Sequence, residues 1–227
     1  MRTDDLIVEL ARNASPVTPL ASPSVRFARW AAVMFVFAAI GVFVLGPRAD
    51  IAEALRQPVY IARLLITLLT ALLAAFTAFV LSVPGAERTK AQRMLPFVAV
   101  GVWTALVGMF LIAGGDPVAR VIAFPVNWPC GYKILGFSLV PGFALFALLR
   151  RAAPLEPLWS ASLAALAATA LGAVATQFIC PVDDPAHQLV GHVLPVIVVA
   201  MAGTAIGFRA LNRLTRGEPT GASFAFQ

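Results

Sequence analysis

Both histidines of the chain, one of its two cysteines and a pair of adjacent carboxylates fall within sixteen residues, Gln177 to His192. Thiolate, imidazole and carboxylate are the side chains that ligate metals, carry protons and attack electrophiles. Cys180 is followed by Pro181, and the other cysteine lies in Trp128-Pro129-Cys130-Gly131, again beside proline. Two cysteines 50 positions apart lack the C-x-x-C spacing of a dithiol redox centre and are too few for a disulfide scaffold. Each leaves an apolar stretch beside a proline, so in an oxidising compartment the pair reads as a disulfide or an exposed sensor, with inert packing as the alternative. A direct bridge requires Cα atoms within about 7 Å. A shared soft metal ion tolerates a longer separation, and Asp183 or His187 could complete its shell.

The neighbouring polar residues have structural readings as well. Asp184 before Pro185 is a common helix start, with the carboxylate as cap and proline at the first helical position. In an α-helix His187 and His192 stand roughly 140° apart, so they are not expected to chelate one ion as an i, i+4 pair would. Gln188 and His192 share a face, as do Asp183 and His187. Asp183, Asp184, His187 and His192 are thus candidates for a metal or polar shell around the cysteines. A haem held between spans needs axial ligands on separate helices, whereas both histidines lie on one. A hydrolytic metal site needs three protein ligands around an open position, which Cys180, His187 and one aspartate supply only loosely. With no glycine-rich phosphate loop and no Ser-His-Asp order, the chain is not expected to be an enzyme or to carry a cofactor, a heavy-metal ion acting as signal excepted.

The elements that position these groups are apolar. The chain has 227 residues, 60% hydrophobic and 12% charged, with mean hydropathy +0.87; soluble domains carry about 25% charged residues. Six stretches read as spans, against the roughly 20 apolar residues a bilayer crossing takes: 26–45, 59–83, 94–114, 134–149, 158–180 and 185–208, the fourth of them short with Tyr132 and Lys133 as interfacial anchors. Arg63 sits near a span end, where it could snorkel. Pro141 predicts a kink in the fourth span. Residues 116–133, aromatic and proline-rich, fit an interfacial or re-entrant loop. The acidic start, with Asp4, Asp5 and Glu9, predicts no cleavable signal peptide. Residues 3–12 predict a short amphipathic helix capped by Thr3, with Leu6, Ile7 and Leu10 as a docking face. A proline- and serine-rich tether follows over 13–24.

The fold class expected is an all-α integral membrane protein with six transmembrane helices. It divides into an arm and tether (1–24), a transmembrane domain (25–216) and a tail (217–227). Arg2, Arg12, Arg26, Arg29, Arg88, Lys90, Arg93, Arg150, Arg151, Arg209, Arg213 and Arg216 fall on one side. Arg48, Arg56, Arg63, Arg120 and Lys133 fall on the other. The positive-inside rule then puts both termini in the cytoplasm and both cysteines outside, in bacteria the periplasm. The net charge of +6 therefore belongs to membrane-flanking loops and the lipid bilayer, not to direct nucleic-acid binding.

This ordered set resembles the membrane anti-sigma factors of the family called negative regulator of sigma F. The resemblance covers the start Thr3-Asp-Asp-Leu-Ile-x-x-Leu-Ala11, the tether, six spans, one cysteine before the fourth span and the Cys-Pro-x-Asp element at Cys180 to Asp183; Val182 and His187 depart from its pattern. It implies an inner-membrane protein whose N-terminal segment helps to hold an extracytoplasmic-function sigma factor. It also implies that Cys130 and Cys180 sense oxidative or heavy-metal stress and trigger release. The competing classes are a membrane thiol oxidoreductase, which would want a vicinal cysteine pair with a quinone or haem site, and a small transporter, which would want polar residues mid-span.

Overall fold

A computed structural model describes residues 2–12, 19–83, 90–123, 129–152 and 154–215. The regular secondary structure of the described residues is all helical, in the order α1 (Thr3–Arg12), α2 (Pro23–Leu45), α3 (Ile51–Ala54), α4 (Pro58–Leu81), α5 (Lys90–Ala113), α6 (Pro117–Ala123), α7 (Pro129–Arg150), α8 (Pro157–Gln177) and α9 (Pro185–Gln188). A π turn (Leu189–Val193) leads from α9 into α10 (Leu194–Thr215). Among the described residues six helices have the length and apolarity to cross a membrane: α2, α4, α5, α7, α8 and the continuous run Pro185–Asn212.

Proline at the first helical position begins five of these segments, α2, α4, α7, α8 and α9, where its missing N–H is not needed and its fixed φ suits the helix. This shifts two expected boundaries. The fourth span is longer than 134–149, because Pro129 starts α7 and places Cys130 in its first turn rather than in a loop. The fifth span is shorter than 158–180: α8 ends at Gln177, and the Cys180 N–H closes a last turn on the Thr176 carbonyl at 2.9 Å. Pro181, which bars the residue before it from the α region, prevents further winding. Part of the 116–133 loop is helical too: Asp116 caps α6 by accepting from Val118 and Ala119 N–H at 3.0 and 3.1 Å. Residues 124–128 lie outside the described part.

Helix α8 is the axis of the bundle and packs against α4, α7 and α10. It is buried continuously from Ser160 through Gln177 except Ser162 and Ala165, and alanine dominates it. Small residues let neighbouring backbones approach closely where lipid offers no hydrophobic drive. At Gly172 the approach is tight: a Cβ there would stand 2.6 Å from both the Ile134 carbonyl oxygen and Ser138 Oγ on α7.

The two ends of the bundle are distinct. At one, Arg26 of α2 donates to Ser82 Oγ (3.1 Å) and the Leu148 carbonyl (2.6 Å), and Arg93 pairs with Glu156 (2.6 Å). At the other lie Arg48, Arg63, Arg120, Cys130, Cys180 and the 178–184 connection. The arm is helical, with Leu6 and Ile7 exposed. Thr3 is the first residue of α1, and Asp5 Oδ2 accepts from the Arg2 N–H (3.3 Å). The Leu10 side chain and residues 13–18 of the tether lie outside the described part, as do 216–227 of the tail.

Candidate functional site

The first turn of α7, the turn after α8 and the start of the sixth span converge at that second end. Cys130 Sγ lies 3.4 Å from Cys180 Sγ, and Cys180 Sγ lies 3.1 Å from His187 Nε2. Both thiols are free and buried. His192 joins them: one ligand atom from each of Cys130, Cys180, His187 and His192 lies within 4.8 Å of all the others, and all four residues are buried.

The histidine pair departs from the helical expectation for a local reason. Leu194 N–H bonds the Leu189 carbonyl, five residues back, so this turn is wider than an α turn. Pro195 follows directly and has no N–H to return to the Gly191 carbonyl, the bond an α-helix would make. The wide turn brings residues five apart onto one side, and the two rings meet edge to face with centroids 5.4 Å apart. Gly191 makes room for this, since a Cβ there would stand 2.9 Å from His187 Cε1. π turns recur at functional sites.

The aspartates are not in this cluster. Asp183 accepts from Arg63 Nη2 (2.5 Å) and Arg48 Nη2 (2.6 Å). Arg48 also forks onto Asp50 at 2.7 and 2.8 Å. Asp184 caps α9 through the Ala186 and His187 N–H groups (2.8 and 3.4 Å), and its other oxygen accepts from Arg120 at 2.7 Å. Arg63 does not snorkel outward; it is buried, reaches Gln177 Oε1 at 3.4 Å and lies over the Tyr60 ring, which Arg48 flanks as well. Arg48 N–H holds the Phe178 carbonyl (2.9 Å), Tyr60 hydroxyl holds that of Gln177 (3.1 Å), and Gln188 Nε2 holds that of Val182 (2.7 Å). In this network three guanidiniums meet three carboxylates, so the 178–184 connection is tied to the α2–α3 connection, α4 and α6 without net charge.

The electrostatics separate the two groups by role. Burial opposes ionisation of Asp183, but the hydrogen bonds from Arg48 and Arg63 outweigh it and hold its carboxyl below the usual carboxylate range. Asp184 is depressed in the same way by the α9 backbone and Arg120 against its burial. The Cys180 thiol is pushed down, first by the hydrogen bond from the Cys130 thiol and then by His187 and His192, against the cost of burial. The arrangement thus favours ionisation of Cys180, and a thiolate beside a thiol is the pairing from which disulfides form and to which thiophilic ions bind.

Sequence reasoning found both cysteines and both histidines but not the histidines as a pair. It also missed Arg48 and Arg120 as partners of the aspartates. A charged residue near a span in an otherwise apolar chain was the available signal, because such residues pair inside the bundle. No curated protein and no solved structure matches the chain. The family model described as NrsF, Negative regulator of sigma F, matches residues 10–212, and the chain belongs to that family of negative regulators of a sigma factor.

Proposed function

We propose that the chain is an inner-membrane anti-sigma factor that holds an extracytoplasmic-function sigma factor at its cytoplasmic face and releases it when the Cys130–Cys180 pair reacts with a periplasmic oxidant or heavy metal. The observation that carries this reading is the 3.4 Å separation of two sulfurs 50 residues apart in sequence. A disulfide needs about 2.05 Å, a closure of little more than 1 Å. With a peroxide as oxidant, the Cys180 thiolate attacks one oxygen, the O–O bond breaks and hydroxide leaves. The Cys130 thiol then displaces the sulfenic oxygen as water and forms the S–S bond.

The charge distribution of the loops supports termini in the cytoplasm. Of the five cations on the other side, Arg48, Arg63 and Arg120 serve as partners of Asp183 and Asp184. Any shift of the 178–184 connection acts through Arg48 on the end of α2, whose opposite end leads to the tether and arm. Helix shifts of about 1–2 Å are a known means of carrying such signals. The arm presents Leu6 and Ile7, with Leu10 on the same helix, to the sigma factor; the protein makes no direct contact with nucleic acid.

The test is sigma-dependent transcription under peroxide or heavy-metal challenge in Cys130→Ser, Cys180→Ser and the double variant. All three should lose the response equally, because removing either partner disables the unit. A full response in both single variants would make the cysteines packing residues.

A further inference from the structure

We propose that Cys130, Cys180, His187 and His192 form a closed four-ligand site for a thiophilic divalent ion of the zinc class. This deepens the sensor reading by naming a ligand for the same centre, although the site itself stands on geometry. Ligand atoms of a tetrahedral ion with bonds of about 2.0 Å to nitrogen and 2.3 Å to sulfur stand roughly 3.3–3.8 Å apart. The Cys130–Cys180 and Cys180–His187 separations are 3.4 and 3.1 Å, and all four ligand atoms lie within 4.8 Å of one another. Side-chain rotation of about 1 Å closes the set to that geometry.

The second observation is independent of the distances. His192 is 0% exposed, and among the described residues neither ring nitrogen meets a partner in full hydrogen-bond geometry, the Cys180 sulfur being the group that acts on it. A buried polar group left without a well-aligned partner is costly, and a metal bond at one nitrogen answers it. The nearby carboxylates cannot serve, since Asp183 and Asp184 are bound to Arg48, Arg63 and Arg120. That leaves two sulfurs and two imidazoles, the donor set that selects zinc-like ions over calcium, magnesium or manganese. Two thiolates and a divalent cation sum to zero charge, which suits a buried position beside apolar helices. The ligands come from the α7 first turn (Cys130), the α8–α9 connection (Cys180) and the start of the sixth span (His187 in α9, His192 in the π turn), so one ion would cross-link three segments. Four protein ligands leave no open position, which makes this a fastening site rather than a hydrolytic one.

The test uses the full chain in detergent, reduced and stripped of metal, titrated with Co(II) as a spectroscopic probe and then with Zn(II). One Co(II) per chain should bind with tetrahedral ligand-field bands and thiolate-to-cobalt charge transfer, and Zn(II) should displace it. X-ray absorption of the zinc-loaded wild type should show two sulfurs and two nitrogens, a readout that needs no variant to fold. Loss of an outer partner of a metal ligand costs about 10–100-fold in affinity, so His192→Ala should weaken Zn(II) binding by more than that. His192→Cys should restore it with a third sulfur in the shell. Failure of the wild type to bind, an octahedral cobalt spectrum, or an absorption shell with fewer than two sulfurs overturns the site. If Zn(II) does not bind but the cysteine variants lose their stress response, the metal site falls and the sensor stands. If Zn(II) binds in this geometry and both single cysteine variants respond fully, the converse holds.

Discussion

His187 and His192 face one another with ring centroids 5.4 Å apart although five residues separate them. The helix between them is widened by one residue, and the wide turn ends where Pro195 withholds a backbone donor. That places two imidazoles beside the Cys180 sulfur, which already has the Cys130 thiol as partner. The cluster therefore has a definite order of influence on Cys180, with Cys130 acting most strongly and the histidines less.

This order predicts the pH dependence of thiol reactivity. A thiol that is ordinarily half-ionised near about pH 8.5 is held as thiolate well below that, so Cys180 alkylation by a small reagent should stay nearly flat across neutral pH. Cys130→Ala should move the midpoint of the profile upward most, and His187→Ala should move it upward by less. Peptide mass spectrometry after timed alkylation reads each site separately. A midpoint in the wild type at the ordinary thiol value would remove the thiolate assignment.

The two cysteines were legible from the sequence because loop charge counting places both on one face, and the contacts agree that they share an end of the bundle. The histidine pair was not, because the 100° step of an α-helix does not hold through residues 189–193. Gly191 between the histidines and Pro195 just beyond them were the visible hints. The arginine partners were hidden for a different reason. Arg48–Asp183 and Arg63–Asp183 join residues 135 and 120 apart, and nothing in local spacing selects one such pair over another. The six apolar spans could be read directly, whereas their ends at Pro129 and Gln177 depended on how each proline acts on its neighbours.

The buried arginine network makes a stability prediction with a defined sign. Asp183 has its carboxyl depressed below the ordinary value of about 3.9, so its contribution is present above that value and is lost as pH falls through the lower folded one. Removing one partner of a buried ion pair costs about 3–5 kcal/mol, and the 32% exposure of this side chain places Asp183→Asn toward the lower end. The melting temperature in detergent should drop clearly at neutral pH, and the gap from wild type should shrink on acidification. Asp50→Asn, at the exposed side of the same arginine, should cost less. A gap for Asp183→Asn that does not narrow with falling pH would mean that the loss comes from packing rather than from charge.

The arm supplies the remaining prediction. On α1, Leu6 is 41% and Ile7 59% exposed, and a ten-residue helix is marginal in water on its own. Both facts suit a segment that gains its stability by docking. Burying a side chain of this kind is worth about 1.5–3 kcal/mol, so losing two should weaken sigma capture by well over about tenfold. Leu6→Asp combined with Ile7→Asp should leave sigma-dependent transcription high without any stress, at unchanged membrane protein level by immunoblot. The cysteine centre, at the bundle end away from the start of α2, should keep its thiol reactivity in that variant. Normal repression in the doubly substituted protein would shift the holding surface from the arm to the loops that join the spans on the same face.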